Sequence, residues 1–349
     1  MRIVPPSVIL SLCLGTGLWA AGPGAGPNVL TTDTLWDWRT VGDPRISPDG
    51  RQVVYELGWN DRMNDAMHSN LWIAAIDGAD HRPLTQGAYK DSSPRWSPDG
   101  KRLAYLSNRS GRAQIHVRWM DSGQEALITD LQQPPNNLAW SPDGNRIAYS
   151  ARVPGKPGWE VKMPERPAGA KWADPPIVVT RLRWRADGAG LIPHGWTHIF
   201  VVPSTGGAPR QLTSGDYNWV GAGGGGRSSG ALAWTPDGQS ILTACQPIPD
   251  ADYSLEGGDI YAIAVKDGAA RQLTRRRGPD SNPVPSPDGR RIAYTGYDFK
   301  HQSYTVSHLY VMEADGSNAR QLTTQLDRDV HNPLWAADSS AVYFVAVTG

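Results

Sequence analysis

Cysteine is nearly missing from this chain: it occurs twice in 349 residues, as Cys13 and Cys245. Cys13 falls in a stretch built like a secretory leader. Only Cys245 would remain after cleavage, which excludes a disulfide framework. It reads as a buried strand thiol. Charge imbalance is missing too, since 34 basic residues balance 34 acidic ones. No long-range field then draws the chain to nucleic acid or to an anionic membrane, and neither is expected as a partner. The apolar run Val8 to Leu18 is too short to span a bilayer. No amphipathic helix of useful length can be drawn anywhere, so the expected class is all-β.

The leader reading covers residues 1–21. Arg2 supplies the positive start and Ala20-Ala21 the small-residue cleavage site. Leu12 is too large for the small residue that precedes a lipidated cysteine. Soluble export to the periplasm or medium is therefore expected. Residues 22–42 read as a lead-in segment. Gly 38 and Pro 29 make about 19% of the chain, below the roughly 25–30% of disordered sequences, so turns account for them.

The plentiful features are tryptophan, at 15 residues against 3 phenylalanines, and a repeated turn. Trp140-Ser141-Pro142-Asp143-Gly144-Asn145-Arg146-Ile147-Ala148-Tyr149 reads as strand, tight turn, strand. Pro142 presets the first central turn position, and Gly144 accepts the left-handed conformation. Related turns hold Asp49, Asp99, Asp187, Asp237, Asp288 and Asp338. The steps from Asp to Asp are 50, 44, 44, 50, 51 and 50 residues. Most are followed by a second half-repeat: an apolar strand, another turn, and a short strand ending Leu-Thr, as in Leu322-Thr323. Two hairpins make one four-stranded blade. The expected fold is a seven-bladed β-propeller over residues 43–349, its last blade incomplete. Residues 153–176, with six Pro and four Lys or Arg, read as an inserted loop between the third and fourth blades.

Several residue groups invite a chemical role. Gly226-Arg227-Ser228-Ser229-Gly230 fits G-x-S-x-G. A glycine run precedes Ser228 and a strand follows it, the reverse of a nucleophile elbow's strand-then-helix context, so a loop is expected. His194 and His198 are four apart but lie in strand and turn beside Pro193 and Gly195, with no third ligand. His116 and His308 read as satisfied core or rim histidines. Arg210, Arg271 and Arg320 recur before Leu-Thr, and the turn Asp recurs likewise. Such periodic positions are expected to be structural. No catalytic, cofactor-binding or metal-binding residue is assigned.

The repeats resemble the N-terminal propeller of the prolyl oligopeptidase (S9) family of serine peptidases. Four stretches narrow the resemblance to its acylaminoacyl-peptidase and dipeptidyl-peptidase-like branch. They are Lys171 to Pro176, Arg183 to Gly188, Thr197 to Pro203 and Gly206 to Asp216. The resemblance implies a gating domain that limits substrates to short peptides and lies against a C-terminal α/β-hydrolase domain. This chain holds no position onto which that domain's triad could be carried, so it is expected to be inactive alone. TolB-like periplasmic propellers share the Ser-Pro-Asp-Gly repeat. A protein-binding module of that kind is the alternative expectation.

Overall fold

In a computed structural model, the chain is described over residues 31–346, except 157, 160, 175, 188–189, 222–230, 249–250, 255 and 303. The leader and Ser228 lie outside the described residues. Helical structure there is confined to two short 3-10 turns, Thr32–Asp37 and Ala251–Tyr253. No described helix is long and apolar enough to cross a membrane. The rest of the regular structure is antiparallel strand.

The strands form five four-stranded sheets and a two-stranded sixth, besides one small separate hairpin. The first sheet comprises Arg39–Ile46, Gln52–Asp61, Ala66–Ala75 and Arg82–Pro83; the second, Asp91–Trp96, Arg102–Ser107, Gln114–Trp119 and Glu125–Leu127. The third comprises Asn136–Trp140, Arg146–Pro154, Gly195–Pro203 and Arg210–Gln211. The fourth uses Ala233–Trp234, Ser240–Cys245, Asp259–Ala264 and Ala270–Gln272, and the fifth Asp280–Pro285, Arg291–Gly296, His308–Glu313 and Arg320–Gln321. Val330–Trp335 and Val342–Ala346 make the sixth. The first strand begins at Arg39, inside the stretch expected as lead-in.

Each sheet packs on the next through its own apolar cluster, five clusters joining six sheets. Tyr105, Tyr149 and Tyr294 occupy the same place in the second strands of the second, third and fifth sheets, and each is buried. This nearest-neighbour burial is the energetic logic of a propeller: no sheet can cover both faces alone. The first strands of neighbouring sheets meet side by side. Trp96 Nε1 donates to Arg45 O at 3.0 Å, Trp140 Nε1 to Arg95 O at 2.9 Å, and Trp335 Nε1 to Val284 O at 2.9 Å. In the fifth sheet Pro285 stands in the tryptophan's place.

The turns behave as the sequence implies. Ser47, Ser97, Ser141, Thr235 and Ser286 each donate a hydroxyl to the turn Asp two residues on. Gly144 sits at φ 68°, and Ser339 takes the equivalent place in the sixth sheet at φ 62°. A second repeated device lies inside the first strands. Asp43, Ser93, Asn282 and Asn332 all have positive φ at a register shift, each immediately before a proline. The bulge bends the strand where the proline cannot donate to the ladder.

The described residues form six stacked sheets where seven blades were expected. Arg185–Ala186 pairs only with Gly190–Leu191, in a small hairpin apart from the stack. The strand Arg146–Pro154 continues instead to Gly195–Pro203, in register from Arg146↔Pro203 to Pro154↔Gly195. Residues 155–194 are thus one arm inserted within the third sheet, and what was expected as two blades is one. That long-range pairing decides the count, and one local feature agrees with it. The segment after Asp187 runs into Pro193, which cannot serve in a central strand.

Candidate functional site: the arm groove

Antiparallel pairing sends all Ser-Pro-Asp-Gly turns to one face of the stack and all connections between second and third strands to the other. The second face carries the arm, the 246–258 loop and the 297–307 loop. The short turn Thr32–Asp37 is there too, held by Asn60 Nδ2 donating to Leu35 O at 2.8 Å. Large side chains stand exposed on this face, among them Trp159, Trp172, Trp184, Tyr253 and Tyr304.

The arm rejoins the sheet at a pinch. Gly195 has φ 125°, and a Cβ there would run into the Val153 carbonyl oxygen. No side chain fits, and the two ends of the arm come together. Arg152 locks the closure: its Nη1 donates to Pro193 O at 3.0 Å and to Gly195 O at 2.6 Å.

A cavity of about 480 Å³ opens beside this pinch, between the arm and the loops of the third and fourth sheets. Arg181, on the arm, lies 4.2 Å over the ring of Trp196 and points Nε at Asp252 Oδ2, 3.4 Å away. The Arg183 backbone N–H donates to the same carboxylate oxygen at 3.3 Å. Asn218 accepts from Thr197 N–H through Oδ1 at 2.9 Å. Gln246 is buried; its Nε2 donates to Ser254 Oγ at 2.8 Å, while its Oε1 has no hydrogen-bond partner. Burial, then the charge of Arg181, hold the Arg152 pKa below its ordinary value. Two guanidinium groups are thus kept close on one wall, a setting suited to an anionic group.

The residues that drew attention in the sequence fall elsewhere or play supporting parts. His194 Nε2 lies 3.4 Å from Val178 O, and buried His198 Nδ1 lies 3.3 Å from Thr213 Oγ1; the two rings have separate partners. Among the described residues no group of three His, Cys, Asp or Glu could hold a metal. Cys245 is fully buried, and burial pushes its thiol pKa up. His308 is satisfied, its Nδ1 lying 3.1 Å from Thr323 O. His116 is buried but departs from the expected satisfied histidine: its Nε2 has no hydrogen-bond partner. Arg210 and Arg271 reach the turn of the following sheet, Lys266 O at 3.2 Å and Asp315 O at 2.8 Å, a structural role.

No local pattern marks Arg152, Arg181, Trp196 and Gln246 as neighbours. The Pro-rich stretch 153–176 announces the arm, but the arm lines the groove only through the stretch after it, Thr180 to Arg183 and Ile192.

Comparison with known proteins agrees with this architecture. A family model described as the TolB beta propeller domain matches residues 38–170. The uncharacterized peptidase YuxL of Bacillus subtilis is 26% identical over 91% of this chain and 48% of its own length. Dipeptidyl-peptidase 5 of Porphyromonas gingivalis is 25% identical over 95% of this chain and 48% of its own. The homologues that match most of the chain are S9-family peptidases, while TolB of Anaeromyxobacter dehalogenans is 39% identical over 30% of it. The chain spans about half the length of the curated peptidases it matches. Among solved structures, acylaminoacyl peptidase of Pyrococcus horikoshii superposes with TM-score 0.63 at 19% identity, covering 90% of this chain and 44% of that one. The β-propeller domain of the trilobed protease of Pyrococcus furiosus gives 0.54 at 19% identity, covering 89% and 78%. At such identities these two speak for the fold, which is the propeller the sheets describe.

Proposed function

We propose that this chain is the substrate-gating propeller of an exported S9-type serine peptidase that acts on short peptides. The observation that carries the reading is extent. The peptidase relatives match over nine-tenths of the chain, whereas the TolB model matches residues 38–170. Geometry supports it. The strand Arg39–Ile46 starts from the loop face, and Val342–Ala346 returns to that face. On this reading a hydrolase domain on that face lies over the groove. Substrates then pass the arm before reaching a nucleophile, and a propeller in that position excludes folded proteins by size.

The complete gene product tests this. It should hydrolyse short acyl-peptide or aminoacyl-peptide chromogenic substrates and leave folded protein intact. Absence of turnover on any short peptide, or equal turnover on native ribonuclease and a tripeptide anilide, would overturn the reading. Activity confined to the cytosol, with none in the periplasm or culture medium, would overturn the export assignment.

A further inference from the structure

The groove is more specific in its chemistry than a gate needs to be. Its wall carries Arg152, Arg181 and Arg183 against Asp216 and Asp252. Asp252 is occupied by Arg181 Nε and by the Arg183 backbone N–H. Arg152 spends one terminal nitrogen on backbone carbonyls, and among the described residues it has no carboxylate partner. The balance left over is positive. It sits beside Trp196 and the exposed ring of Tyr253. The second observation is Gln246. It is only 9% exposed, lines the cavity, and leaves Oε1 unpartnered. A buried carbonyl oxygen with nothing donating to it is destabilising, and a ligand N–H would remove that cost once the Gln246 side chain turns this covered oxygen toward the cavity.

An anion with an N–H donor close behind it and a side chain alongside matches this set. We infer that the arm groove binds the C-terminal α-carboxylate of a short peptide. The carboxylate lies against Arg152, Arg181 and Arg183, and Gln246 Oε1 accepts the N–H of the last peptide bond. Trp196 and Tyr253 flank the terminal side chain. A free amino terminus in the same place would face three guanidinium groups, so the bound peptide has one direction. A cavity of about 480 Å³ holds the end of a peptide, not a folded chain. This rests on the proposed peptidase role, but it is tested on binding alone.

The probes are the tripeptide Ala-Ala-Leu as free acid, its C-terminal amide and its N-acetyl form, with acetate and inorganic phosphate beside them. Affinities are measured by calorimetry on the purified chain at low salt. The free acid and the N-acetyl acid should bind alike, and the amide about tenfold or more weaker. Arg183→Gln should reduce the preference for acid over amide to about twofold or less, and Gln246→Leu should weaken the acid without changing that preference. Arg181→Gln is a second charge variant with the same expected result, decisive if Arg183→Gln melts early. Arg51→Gln, on the opposite face, should change nothing. The inference is overturned if amide and acid bind equally, if the preference survives both charge variants, or if acetylation abolishes binding. It is also overturned if acetate or phosphate binds as tightly as the tripeptide, or if no saturable binding occurs below about 10 mM. Failure here with hydrolysis intact in the gene product removes this site alone. Failure of hydrolysis removes the peptidase reading.

Discussion

Trp234 Nε1 donates to Ala139 O at 3.0 Å, and Arg146 caps the same ring at 5.0 Å. That single clasp ties the third sheet directly to the fourth and leaves no room for a blade between them. The same arrangement recurs with Arg102 over Trp140 and Arg291 over Trp335. The tryptophan of one sheet reaches the inner strand of the sheet before it, and an arginine of that earlier sheet covers its ring. Trp234→Phe keeps most of the apolar bulk but removes the indole N–H that Ala139 O accepts. It should cost about 1–3 kcal/mol, and Trp234→Ala about 3–5 kcal/mol. Urea denaturation of both variants measures this; equal stability of wild type and Trp234→Ala would show that the clasp carries nothing.

The threonine that follows the last strand of each four-stranded sheet is a hydrogen-bonding device. Thr129 Oγ1 accepts from Ile115 N–H at 3.0 Å and donates to Gln114 Oε1 at 2.9 Å. Thr213, Thr274 and Thr323 accept in the same way from Ile199, Ile260 and Leu309. Thr129→Val is nearly isosteric and strands a buried N–H. A loss of about 1–3 kcal/mol is expected, larger than for Thr129→Ser, which keeps the acceptor. If serine and valine destabilise alike, the hydroxyl is not the reason for the repeat.

Acid stability should depend on two buried groups with opposite signs. Burial, then the charge of Arg109, push the His116 pKa down to about 4. The unfolded chain therefore takes up a proton below about 6.5 that the folded chain refuses, and stability is lost as pH falls from there towards 4. Burial pushes the Asp280 pKa up to about 6, despite its pairing with Arg276. Between about 6 and the ordinary carboxylate range the folded chain holds a proton that the unfolded chain lacks, and stability is gained as pH falls. His116→Phe should make acidification less damaging, and Asp280→Asn more damaging. Denaturation midpoints at about pH 7 and pH 4.5 decide it. Variants whose pH dependence parallels wild type would refute the assignment.

The arm's base should not tolerate a side chain. Gly195→Ala places a methyl group against Val153 O at a φ that alanine rarely adopts. Strain of about 1–3 kcal/mol is expected. It should show as a lower melting temperature together with proteolytic cutting between residues 155 and 194. An unchanged melt with an intact arm would show that the pinch can relax.

The isolated chain should not hydrolyse acyl-peptide or aminoacyl chromogenic substrates, and Ser228→Ala should leave the trace unchanged. The motivation is the G-x-S-x-G match, which follows a glycine run where an elbow needs a strand. Turnover that vanishes in the Ser228→Ala variant would reverse this assignment.

Strands, turns and their order were legible because each rests on neighbours a few residues apart. Ser141, Asp143 and Gly144 satisfy one another within a single turn, and Ile147 and Tyr149 alternate with small residues on a pleated strand. The S9 resemblance followed from the same local stretches. The number of blades was not local. The turn at Asp187 has the right spacing and a tryptophan before it. Whether its strands join the stack depends on which strand Arg146–Pro154 pairs with, and that partner lies beyond the arm. Pro193 was the one local warning.

The groove was further from view. Arg152 stands near the end of a strand, Arg181 on the arm, Asn218 on a loop and Gln246 just past another strand. They meet only once the third and fourth sheets pack. Composition and periodicity determined an all-β chain of repeated hairpins, because a hairpin is decided by contacts within about ten residues. Only the tertiary structure decided how many sheets stack and which charges share a wall. Those depend on strand pairing and burial between residues far apart in the chain, where no short-range pattern is written.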